Sequence, residues 1–71
     1  MYISIENKLY LIAPGDMITF NGPNAKGFYN IEINSNFVLF HATDETLVST
    51  VFDDIVQAAK NKKEFHEIEI T

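Results

Sequence analysis

The chain has 71 residues and a mass of 8.1 kDa, enough for one domain that buries only about 60% of the surface its unfolded form exposes. A composition of 46% apolar and 21% charged residues, with six Phe and three Tyr, excludes a disordered tail and a membrane span, and the lack of cysteine excludes disulfides, thiolate metal sites and thiol nucleophiles. Ten acids against five lysines, with no arginine, leave a net charge of −5 and no means of assembling a phosphate-binding basic patch, which argues against direct binding to DNA, RNA or anionic lipid.

In chain order, residues 2–5 and 9–12 are β-branched or aromatic runs separated by Glu6, Asn7 and Lys8, a spacing that predicts a hairpin. Pro14 and Gly15 then supply the two central residues of a type II turn. A third strand follows at residues 17–20. Residues 21–27 carry two Gly, one Pro and two Asn and read as a loop. Strand character resumes at 28–33, turns back at Asn34, Ser35 and Asn36, and ends with residues 37–41. This pattern predicts an antiparallel meander without parallel crossovers. Nothing at the start has the form of a targeting leader, and the apolar runs 9–13 and 37–40 are too short to span a bilayer, so a cytoplasmic location is expected.

The period then changes. Leu47, Val48, Val51, Phe52, Ile55, Val56 and Ala59 form one apolar stripe of an amphipathic helix over residues 44–61, from Asp44 to Asn61. Thr43 or Asp44 serves as N-cap, acids open the helix, and Lys60, Lys62 and Lys63 lie near its negative end. Residues 65–70 alternate with period two and predict a last strand returning to the sheet. The expected fold is α+β: a small antiparallel sheet of about five to six strands, curled or open, with one helix packed on one face. Because residues 9–12 and 37–40 are apolar on both strand faces, something must cover the second face. A curled barrel, a second copy and a partner protein are the alternatives.

Four groups of residues bear on chemistry. Gly22 and Gly27 have the glycine spacing of a phosphate loop, but Phe28 and Tyr29 stand where the Lys and Ser or Thr belong and open a strand, so a hairpin loop is expected. His41, with Asp44 or Glu45 nearby, lacks a third member for a metal site or catalytic triad, and His66 is equally isolated. Asp53 and Asp54 diverge by about 100° on a helix and read as a solvated face. Ser4, Ser35 and Ser49 lack a nucleophile pattern. No catalysis, cofactor or metal is expected.

Residues 3–47 loosely resemble the β-rich core of LytTR-type DNA-binding domains, through the run Gly15, Asp16, Met17, Ile18, Thr19, Phe20, then Tyr29 and Ile31, and a helix opening near Thr46 and Leu47. The resemblance implies a fold only. The basic loop residues with which that family contacts DNA have no counterpart here, so no DNA-contacting residue is carried over.

Function is therefore expected to be non-catalytic: a module that binds a protein partner or itself, as a homodimer, through an aromatic-rich sheet face with Tyr10, Phe20, Tyr29, Phe37 and Phe40 as anchors. The acidity offers a second reading, since residues 43–71 carry seven of the ten acids. Asp44, Glu45, Asp53, Asp54, Glu64, Glu67 and Glu69 could occupy the basic site of a nucleic-acid-binding protein. A third is a small-ligand protein whose pocket is built at a dimer interface.

Overall fold

The computed structural model describes residues 1–70 and shows an α+β fold of six strands and one helix. The strands are β1 (Tyr2–Ile5), β2 (Lys8–Leu11), β3 (Ile18–Asn21), β4 (Tyr29–Ile33), β5 (Phe37–Ala42) and β6 (Phe65–Ile68), and the helix is α1 (Glu45–Lys60) between β5 and β6. The expected single meander is corrected in two respects. The strands form two three-stranded sheets, ordered β2-β1-β6 and β3-β4-β5, and neither closes into a barrel. In addition, β6 lies parallel to β1, pairing Tyr2 with Phe65 and Ile5 with Ile68. The helix makes this possible, because it carries the chain from the end of the second sheet back across the core to the outer edge of the first.

Turn chemistry sets the registers. Glu6 and Asn7 both adopt positive φ, at 51° and 66°, and make a two-residue hairpin between Ile5 and Lys8 whose twist suits antiparallel strands. The Pro14 turn forms as its sequence predicts: Gly15 has φ 92° and the Asp16 amide donates to the Ala13 carbonyl at 3.1 Å. In β5 a bulge opposite Ile31 and Glu32 decides how four consecutive apolar residues are used. Both Leu39 and Phe40 turn into the core, while Phe37 and Val38 stay 48% and 45% exposed.

Asp44 is the N-cap of α1, its Oδ1 accepting from the amides of Thr46 at 3.0 Å and Leu47 at 3.3 Å. The buried stripe is Val48, Val51, Ile55 and Ala58, so it is Ala58 and not Ala59 that turns inward at the last turn. At the C-terminus Lys62 adopts φ 55°; its amide donates to Ala59 and that of Lys63 to Ala58, which satisfies two terminal carbonyls.

Two sheets and a helix enclose one core. Ile3 and Ile5 from β1, Ile12 just after β2, Ile31, Ile33, Leu39 and Phe40 from the second sheet, Val48, Val51 and Ile55 from α1, and Ile68 from β6 form a single apolar cluster. Among the described residues no polar or charged side chain is buried. Stability thus rests on aliphatic packing, as the cysteine-free composition requires.

Candidate interaction surface

Alternation along β1 buries Ile3 and Ile5 and turns Tyr2 and Ser4 outward. The hairpin register places Leu11 beside Tyr2 and Leu9 beside Ser4, and the parallel pairing with β6 places Phe65 on the other side of Tyr2 and Glu67 beside Ser4. The outer face of the first sheet therefore carries an unbroken apolar row, Leu11, Tyr2 and Phe65, with Leu9 in the row behind. These four side chains are 47% to 63% exposed, the most exposed apolar group in the fold. Together they present on the order of 400–500 Å² of mainly apolar surface, in the upper part of what the largest patch of a monomer holds.

None of the four was an expected anchor. Of those that were, Phe40 is only 6% exposed and belongs to the core, so it is removed from any surface site. Phe20 and Tyr29 are half-buried; their rings meet edge to face at 6.2 Å, and Phe20 also packs on Phe52 of the helix at 5.9 Å. Tyr10 turns inward from β2 and its ring meets that of Phe37 on β5 at 5.8 Å, closing the seam where the two sheets pass without backbone hydrogen bonds. The anchors expected to share one face are thus split between the helix side and the seam. The outward set was legible in one respect: the alternation of residues 65–70 puts Phe65 on the strand face that otherwise carries Glu67 and Glu69.

All seven acids of the C-terminal part, Asp44, Glu45, Asp53, Asp54, Glu64, Glu67 and Glu69, are exposed. They do not form one surface by role. Asp44 is committed to capping α1, and Asp54 accepts a hydrogen bond from His66 Nε2 at 2.9 Å. Asp53, Asp54 and Glu69 rim an open cleft of about 320 Å³ whose floor includes Leu47, Val51 and Ile68. A second open cleft, of about 390 Å³, lies between Ile12, Ile18 and the helix residues Ile55, Val56 and Lys60. Both are formed by the single chain.

The remaining motifs find structural places. His41 is exposed and stacks on Phe28 with ring centroids 4.8 Å apart. The Gly22 to Gly27 loop joins two strands, and its amides are turned inward: Lys26 and Phe28 both donate to Asn24 Oδ1, at 2.9 and 3.0 Å. A phosphate would find those donors occupied. Asp16 Oδ2 accepts from the Ala13 amide at 2.8 Å and its Oδ1 accepts from Asn34 Nδ2 at 3.1 Å, which holds its carboxyl below the ordinary value of 3.8, the Asn34 bond being the larger cause. Among the described residues no group of three His, Cys, Asp or Glu is placed to hold a metal ion, and no helix is long and apolar enough to cross a membrane.

No protein-family model matches the chain, and no curated protein or solved structure matches it significantly. The likeness of residues 3–47 to LytTR-type domains accordingly finds no support in a family match.

Proposed function

We propose that this protein is a non-catalytic interaction module that works in the cytoplasm and binds protein through the outer face of its first sheet. The observation that carries the reading is the row Leu11, Tyr2 and Phe65, with Leu9 behind it, left uncovered on a sheet whose other face packs Ile3, Ile5 and Ile68 into the core. Such a patch costs solubility unless it is used, and its two aromatic members have the chemistry that dominates binding hot spots. The test is retention by immobilised protein. Material retained by the wild type, whether the chain itself or another protein, is to be lost with Leu11→Lys and kept with Val38→Lys, an exposed apolar position on the other sheet. Equal retention by both variants would sink the reading.

The second reading is an acidic regulator of a basic, nucleic-acid-binding protein. What favours it is the exposure of all seven C-terminal acids together with an acid-rimmed cleft that has an apolar floor. The two readings separate by salt. Binding through the acids weakens steeply between 50 and 500 mM salt, whereas binding through the apolar row does not.

A further inference from the structure

We propose that the occupant of the outer face of the first sheet is a second copy of this chain, packed face to face about a two-fold axis that runs along β1. The inference rests on the interaction-module reading and names its partner.

Three features support a second copy. First, the row is its own complement. β1 is the central strand, so a two-fold axis along it exchanges the β2 and β6 sides of the sheet. Tyr2 then meets Tyr2, and Leu11 of each copy meets Phe65 of the other, so that the row lies apolar on apolar along its length. A two-fold axis across the strands, through the row, would set Leu11, Tyr2 and Phe65 each on its own copy and carry Leu9 off the partner, whereas the axis along β1 keeps all four residues in the interface. Tyr2 opens β1 at the margin of the sheet, which lets its hydroxyl reach water at the rim of such an interface.

Second, the area fits. Two patches of this size with their rims bury on the order of 1,000 Å² in total, the lower limit of specific interfaces and the size class of a reversible dimer.

Third, the strand-paired positions of the face carry little charge although the chain is acidic. The paired positions on it are Tyr2, Ser4, Leu9, Leu11, Phe65 and Glu67, so one carboxylate is the only charge among them. Glu67 meets the partner's Leu9 region at the margin, where its carboxylate stays hydrated. Repulsion between two chains of net charge −5 is then a long-range cost that salt removes, while the apolar contact is retained. Self-association through this face therefore tightens with salt.

The experiment is sedimentation equilibrium of the full chain at rising concentration, in 50 and 500 mM salt, with two charge variants. The wild type is expected to dimerise, more tightly in high salt. Leu11→Lys and Phe65→Glu are each expected to weaken the dimer at least tenfold when alone. An equimolar mixture is expected to recover a heterodimer, because the axis brings the new lysine of one copy against the new glutamate of the other and leaves the opposite contact native. Circular dichroism verifies that each variant is folded, which the exposure of both positions favours. A wild type that remains monomeric at millimolar concentration overturns the second copy and leaves the module reading to the retention test above. A wild-type dimer indifferent to both substitutions overturns the inference and the assignment of this face together. Loss in each variant without recovery in the mixture overturns the two-fold arrangement.

Discussion

Asp54 in the middle of α1 and His66 in β6 meet at 2.9 Å, the imidazole Nε2–H donating to the carboxylate Oδ2. The histidine is largely enclosed, with 15% of its side chain exposed, whereas the aspartate is about half exposed at 47%. The contact fastens the last strand to the helix that precedes it, across the four-residue connection Asn61, Lys62, Lys63 and Glu64. Asp54→Ala leaves the largely enclosed imidazole without its acceptor, and we expect a loss of about 0.5–1 kcal/mol, at the lower end for a hydrogen bond because the aspartate faces water. Urea unfolding of Asp54→Ala, His66→Ala and the double variant measures the coupling, and a coupling of zero would remove the fastening role.

Lys62 holds φ 55° at the end of α1, a conformation that side chains other than glycine adopt at a cost. Lys62→Gly is expected to raise stability by about 0.5 kcal/mol, the relief of strain being partly offset by the greater freedom of glycine in the unfolded chain. A rise in the urea midpoint at unchanged slope is the expected signature.

Gly22 is required for two reasons. Its φ is 140°, and a Cβ built there would lie 2.8 Å from the Cα of Tyr29, where only backbone movement makes room. Gly22→Ala should cost about 1–3 kcal/mol. Gly15 and Gly27 also have positive φ, but a Cβ at either meets nothing within 4 Å, so their alanine variants are expected to lose less. Thermal unfolding of the three variants checks the order.

Asp16 links the β2–β3 turn to the β4–β5 turn through Asn34, and so joins the two sheets at one end. Its carboxyl is held below 3.8 in the folded chain, chiefly by Asn34. A group whose value is lowered by folding contributes stability above its unfolded value and loses that contribution as pH falls through the folded one. The stability difference between wild type and Asp16→Asn should therefore be constant from neutral pH down to about 5 and shrink below 3.8. A difference that persists unchanged at pH 2 would show that the carboxylate is not the source.

Phe37 and Phe40 lie three residues apart on β5 and have opposite environments, the first 48% exposed and the second 6%. Phe40→Ala should cost about 3–5 kcal/mol, a large part of the roughly 4–11 kcal/mol that a chain of this length commands. Phe37→Ala loses mainly the ring contact with Tyr10, about 1 kcal/mol. Similar losses at the two positions would contradict the difference in burial between them.

Local signals carried much of this fold. The helix and its Asp44 cap, the Pro14 turn and all six strands were legible because each depends on residues close in sequence: a carboxylate two or three positions before free amides, a proline followed by glycine, a change of hydrophobic period at Leu47. The exposed apolar face of the first sheet was partly legible in Phe65, whose apolar ring shares a strand face with glutamates. Which sheet each strand joins was not. Pairing of β6 with β1 brings together residues more than sixty positions apart, and no local preference encodes it, since the gain comes from burying Ile3, Ile5 and Ile68 in one core. The same holds for Phe40, which a one-residue bulge turned from the expected surface into the interior. Composition had already required that packing alone hold a cysteine-free chain together and that apolar strand surface exceed what one helix covers. Assembly of the two sheets settled where that excess lies, on Tyr2, Leu9, Leu11 and Phe65, because long-range register fixes which alternate face of each strand meets the core.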